Sequence, residues 1–139
     1  VVKKLLAIVS IAATAGALSV GSAAAQDAAK GEAVFKQCMT CHRADKNMVG
    51  PALAGVVGRK AGTAAGFSYS PLNHHSGEAG LVWTQDNIIT YLADPNAFLK
   101  KFLTDKGHAD QAVGATKMTF KLANEQQRKD VAAYLATLK

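Results

Sequence analysis

The chain has two cysteines, and both stand in one five-residue stretch, Cys38-Met39-Thr40-Cys41-His42. Three residues apart on a helical turn, two sulfurs lie along one edge of whatever they hold, and the imidazole that follows is aimed at the same object. That spacing fits a haem, with one thioether from each cysteine to a vinyl group and His42 directed at the iron. A zinc site would need a second Cys/His pair at suitable spacing; His74-His75 form a lone doublet and His108 stands alone. A thioredoxin-like dithiol would need a preceding strand and a βαβ pattern, and neither is legible. The fold must therefore be one that wraps a covalent haem.

At 139 residues, 49% of them apolar, the chain can build one buried core without disulfide staples. The excess of 16 Lys+Arg over 10 Asp+Glu points to an acidic partner surface, an anionic membrane or nucleic acid. The N-terminal stretch narrows this: Lys3-Lys4, an apolar run from Leu5 to about Val20, then Ser22-Ala23-Ala24-Ala25. These are the three parts of a secretory signal peptide, with cleavage expected before Gln26. Residues 1–25 are assigned to it and 26–139 to the functional domain. A membrane anchor is the competing reading, but the run is short for a span of about 20 residues and ends in small residues rather than a stop-transfer cluster. Losing Lys3 and Lys4 lowers the formal charge from +6 to +4, and export to the periplasm removes nucleic acid as a partner.

Helix signals follow in order. Asp27 caps a first helix running to about Cys38, with Val34 and Phe35 on its apolar side. Thr84 caps another, with Trp83 and Ile88 as a hydrophobic staple, ending before Pro95. Asp94-Pro95 restarts a short helix to about Leu103. Asn124 and Gln127 resemble a capping box ahead of Val131, Tyr134, Leu135 and Leu138, an i, i+3, i+4, i+7 face. Between the first two of these lies a long Gly-rich connection through Gly80 with little regular structure. Such a connection in a compact domain packs on something, here the haem. The glycines around Val56-Val57 leave room only for a bend or a brief extended piece.

The sixth position on iron separates electron transfer from chemistry on a bound gas or peroxide. Met39 lies inside the attachment motif and Met48 follows it closely, which leaves Met118, in Thr116-Lys117-Met118-Thr119-Phe120. Position alone leaves Met118 equally open as ligand or as core filler.

Seven motifs then stand in a known order: Cys38-x-x-Cys41-His42, Gly50-Pro51-x-Leu53-x-Gly55, Gly58-Arg59-Lys60, Gly66-Phe67-Ser68-Tyr69-Ser70, Trp83-Thr84, Tyr91-Leu92-x-x-Pro95 and Thr116-Lys117-Met118. Together they resemble class I cytochromes c, in the longer bacterial c2 form, across essentially all of residues 26–139. The resemblance implies an all-α fold of helices and long loops around one haem c, with His42 and Met118 as iron ligands. It implies that Pro51 accepts a hydrogen bond from His42 and that Arg59, Tyr69 and Trp83 serve the haem propionates. Tyr91 would sit near the Met118 sulfur, Thr116 would help close that side, and Gly31 and Phe35 would meet Tyr134 and Leu135 where the first and last helices cross. The 22 residues from Asn96 to Lys117 exceed the short mitochondrial pattern, so lysine positions do not transfer there; His108, in this insert, is expected to be solvated.

The function implied is a monomeric single-haem electron carrier, not an enzyme. Its donor would be a cytochrome bc1 complex and its acceptor a photosynthetic reaction centre, or a terminal oxidase in respiratory growth. Docking would use lysines near the haem edge, for which Lys36, Lys46, Lys100, Lys101, Lys117 and Lys121 are candidates. A five-coordinate enzyme or gas sensor and a thiol-disulfide oxidoreductase are the alternatives from other classes.

Overall fold

The structure is a computed structural model that describes residues 25–139, so the expected signal peptide lies outside the described residues except for Ala25. Five α-helices form among these residues: α1 Ala28–Cys38, α2 Pro71–Glu78, α3 Gln85–Ala93, α4 Pro95–Asp105 and α5 Glu125–Leu135, with a 3-10 turn at Ala109–Gln111. None is long and apolar enough to cross a membrane.

Each helix begins where a short polar side chain can satisfy the free N–H groups of a first turn. Asp27 accepts from Ala29 and Lys30 at 3.0 and 3.1 Å, and Asp94 from Ala97 at 3.0 Å. At α3 the cap is reciprocal: Asn87 N–H reaches Thr84 Oγ1 at 3.2 Å while Asn87 Oδ1 accepts from Thr84 N–H at 2.8 Å. At α5 the Gln127 backbone N–H donates to Asn124 Oδ1 at 3.0 Å. The full box thus forms at Thr84 and Asn87, where a shorter amide does the work expected of Gln127.

Helices α1 and α5 cross at Gly31, where even a Cβ would come within 2.0 Å of the Asp130 carbonyl oxygen. Phe35 and Tyr134 pack beside the crossing with centroids 5.2 Å apart. Buried Asp130 accepts from Asp27 N–H at 3.0 Å and Gln126 Nε2 at 2.8 Å, tying the start of α1 to α5. Val34, Phe35, Val131, Ala132 and Leu135 then join Ile88, Leu92, Leu99 and Leu103 in one core.

Helix α2 corrects the reading of a connection without regular structure. Ser70 caps it, and Pro71 at its first position carries no N–H to satisfy. Its sequence, Pro-Leu-Asn-His-His-Ser-Gly-Glu, has too few apolar residues for a helical period to stand out. Tertiary contact supplies the rest: a Cβ on Gly77 would lie 2.0 Å from the Ala61 carbonyl oxygen, so the helix packs directly on loop backbone. Val57 lies in a turn and Val56 sits between two turns, and the extended backbone nearby is one antiparallel bridge, Lys60 with Val82.

Candidate haem site

The last turn of α1 runs into the attachment motif, with Cys41 and His42 N–H groups donating to the Cys38 carbonyl at 3.1 and 2.9 Å. These bonds close a tight turn that keeps Cys38, Cys41 and His42 together in the chain. His42 Nδ1 lies 2.8 Å from the Pro51 carbonyl oxygen. A carbonyl only accepts, so Nδ1 carries the proton and Nε2 presents its lone pair, the form in which histidine binds a metal. Gly50 closes against the ring: a Cβ there would sit 2.3 Å from Cε1. Burial holds the His42 pKa below the ordinary 6.5, with Arg59 adding to the effect and the Pro51 bond opposing it.

Burial also pushes the Cys38 thiol up to about 11. A reactive thiol runs the other way, with a lowered pKa in an electropositive setting, so burial counts against Cys38 as the nucleophile of a dithiol.

Arg59 and Trp83 continue this wall through the backbone, with Trp83 N–H donating to the Arg59 carbonyl at 2.9 Å and Gly58 N–H to the Trp83 carbonyl at 2.7 Å. The Arg59 guanidinium reaches the carbonyls of Ala52 at 3.0 Å and Ala54 at 3.4 Å. Tyr69 accepts from Ala64 N–H at 3.2 Å and packs edge-on to Phe67. Trp83 meets Tyr91 edge-on at 4.7 Å and Phe98 at 6.2 Å, closing an aromatic group with mutual quadrupole contacts.

Tyr91 leads to Met118. Its buried phenol is raised by burial, against hydrogen bonds from Thr116 and Asn73 that lower it. Thr116 Oγ1 donates to Asn73 Oδ1 at 2.7 Å, Ser70 Oγ donates to the same oxygen at 2.8 Å, and Met118 N–H reaches Thr116 Oγ1 at 3.3 Å. Asn73 is thus the hub of a buried polar network beside Met118, and sequence reasoning missed it. Its signal was the Ser70-Pro71-Leu72-Asn73 start of α2, in which Asn73 N–H caps on Ser70 Oγ at 3.3 Å. Met118 itself is half-buried and packs against the core.

The attachment turn holds two thiols and an imidazole with its second nitrogen already anchored, while Met118 offers a thioether from a half-buried position against the core. No cluster of three or more His, Cys, Asp or Glu that could hold a bare metal ion occurs among the described residues. Soft sulfur and imidazole donors in a helical wrap suit a haem covalently joined to the chain, and they define a c-type haem protein. The family model described as Cytochrome c matches residues 28–139, and the chain belongs to that family.

Among relatives, a cytochrome c2 of Rhodopseudomonas palustris is 97% identical over 114 residues, covering 82% of this chain and all of the relative. A cytochrome c2 of Rhodopseudomonas palustris strain ATCC BAA-98 / CGA009 is 88% identical over 138 residues, 99% of each chain. The solved ferricytochrome c2 from Rhodopseudomonas palustris superposes with a TM-score of 0.81 at 89% identity, covering 82% of this chain and all of that one. The chain has the class I cytochrome c fold and carries one haem c through thioethers at Cys38 and Cys41. It is an electron carrier, not an enzyme.

Proposed function

We propose that this chain is an exported shuttle whose haem iron is held by His42 and Met118, taking single electrons from a cytochrome bc1 complex and passing them to a photosynthetic reaction centre. The observation that carries the ligand reading is the commitment of His42 Nδ1 to Pro51, which leaves Nε2 as a fixed donor. Met118 is the complementary donor in this reading, supported by the bond from its N–H to Thr116 Oγ1 and by the hold of Asn73 on that hydroxyl.

The haem, when bound, supplies a one-electron couple. The protein's part would be to hold the iron with His42 and Met118, which leaves no ligand site for a substrate and would restrict the group to electron exchange at its edge. Thioether ligation favours the reduced state relative to anionic ligands. Arg59, Tyr69 and Trp83 stand as partners for the propionates, because a buried carboxylate needs a charge or hydrogen bonds.

Docking falls to lysines free of local partners. Of the six candidates, Lys101 pairs with Asp105 at 2.7 Å and Lys121 with Asp94 at 2.6 Å, while Lys117 donates to the Ser68 carbonyl and lies over the Phe67 ring. Lys36, Lys46 and Lys100 are therefore the stronger steering charges. Export is supported by the relatives of 114 residues that this chain covers in full, the length that remains when residues 1–25 are set aside. A respiratory acceptor, a terminal oxidase, would use the same exposed edge.

The test is the spectrum of the ferric protein. A low-spin haem with the weak far-red band of sulfur on iron is expected, and Met118→Ala should abolish the band and lower the potential. A high-spin ferric haem, or an unchanged band in Met118→Ala, overturns the ligand assignment. Flash oxidation by isolated reaction centres tests the acceptor; no second-order electron transfer there would leave the oxidase.

A further inference from the structure

We infer that Asn96, in the first turn of α4, is a positioning residue that keeps the Met118 sulfur in place. This rests on the reading of Met118 as an iron ligand. The segment from Thr116 to Leu122 contains no helix or strand. Its own internal bond is the one from Met118 N–H to Thr116 Oγ1, at 3.3 Å, so its shape must be imposed from outside.

Both ends of the segment are tied to one corner of the fold, the junction of α3 and α4. At the start, Thr116 N–H donates to Asn96 Oδ1 at 3.0 Å, twenty residues away in sequence. At the far end, Leu122 N–H donates to the Leu92 carbonyl at 2.8 Å, and Lys121 Nζ lies 2.6 Å from Asp94 Oδ2. Asp94 is itself fixed as the cap of α4 through Ala97 N–H, and Pro95 stiffens the link between the two anchors.

The two side-chain ties differ in weight. Lys121 and Asp94 are exposed, at 57% and 37% of their side-chain surface, and a pair in water holds weakly. Thr116 is buried at 7% exposure, and its N–H is left without an acceptor if Asn96 is shortened. An orphaned buried donor costs more than a missing surface pair. Thr116 also donates its hydroxyl to Asn73, so one residue carries both the backbone anchor from α4 and the side-chain anchor from α2. Release of the Asn96 bond frees Thr116 to move with Met118.

The experiment uses the ferric holoprotein and imidazole as a competing ligand for the sixth position. Apparent imidazole affinity rises in proportion to the fraction of molecules whose sulfur has left. Asn96→Ala should raise that affinity about tenfold, the effect of one buried hydrogen bond, and weaken the far-red band. Asn96→Asp keeps an oxygen at the same place and should restore both to near the parent. Lys121→Ala, which cuts only the exposed tie, should change the affinity by less than about threefold.

If Asn96→Ala binds imidazole within about twofold of the parent while the parent shows the far-red band, the inference fails and the ligand reading stands. If the parent lacks the band, the ligand reading fails and takes the inference with it. If Asn96→Ala does not fold, the comparison of Asn96→Asp with Asn96→Ser decides. The serine hydroxyl falls short of Thr116 N–H, so equal imidazole affinity in these two variants overturns the proposal.

Discussion

Replacing Gly50 by alanine tests whether His42 is held by packing as well as by its hydrogen bond. Gly50 is buried, and its backbone is pinned on both sides, its N–H donating to the Cys41 carbonyl and its carbonyl accepting from Met48 N–H, each at 2.8 Å. A new Cβ would lie 2.3 Å from His42 Cε1 and 2.7 Å from both ring nitrogens. Carbon contacts settle near about 3.5–4.0 Å, so the ring must retreat by more than about 1 Å. That motion pulls Nδ1 from the Pro51 carbonyl, now at 2.8 Å, beyond hydrogen-bonding range. Overpacking costs about 1–3 kcal/mol and the lost bond about 0.5–1.5 kcal/mol, offset by about 0.4–1 kcal/mol from a less flexible unfolded chain. The net loss spans about 0.5–4 kcal/mol and centres near about 2 kcal/mol, which for a domain of this length lowers the melting temperature by about 8 °C. The measurement is thermal unfolding of the ferric protein by circular dichroism, together with its visible spectrum and potential. Gly31→Ala is the control. It also clashes, at 2.0 Å from the Asp130 carbonyl oxygen, and should lower stability while leaving spectrum and potential alone. A Gly50→Ala protein that melts within about 1 °C of the parent with an unchanged spectrum would refute the reasoning.

Asn73→Ala removes the acceptor shared by Ser70 and Thr116 and should cost about 1–3 kcal/mol in denaturant unfolding, with Asn73→Asp largely restoring it; parent-like stability for Asn73→Ala would show the network to be incidental. Leu99→Ala opens a cavity at a side chain with 0% exposure and should cost about 2–5 kcal/mol, read in the same assay. Asp94 is held below the ordinary 3.8 by Ala97 N–H first and Lys121 second. Its stabilising effect is thus present above the unfolded value and lost as pH falls through the lower folded one. The melting-temperature gap between parent and Asp94→Ala should therefore be open at neutral pH and close in strong acid; a constant gap counts against it. Electron transfer to an acidic partner should slow at least about tenfold between low and physiological ionic strength, and a flat salt profile in stopped-flow kinetics would remove the steering role of Lys36, Lys46 and Lys100.

Much of this protein is written locally. Cys38, Cys41 and His42 specify covalent haem because the chemistry needs those atoms at that spacing, and no distant residue changes it. Asp27, Thr84, Asp94 and Asn124 mark helix starts because a cap acts within three or four residues of itself. The order of the seven motifs, from Cys38 to Met118, carries the family and with it the fold. What the sequence left open depends on contacts between segments far apart. Helix α2 has little apolar period and forms where Gly77 can settle on Ala61. Asn73 and Asn96 look like ordinary polar residues until α2 and α4 bring them to Thr116, 43 and 20 residues away. Which lysines stay free for a partner is likewise decided by where Asp94, Asp105 and Ser68 fall. Sequence determined the cofactor, four of the five helix starts and the ligand candidates, since these rest on spacing. Tertiary structure alone decided how the Met118 segment is held, because a loop with a single long internal hydrogen bond takes its shape from whatever it packs against.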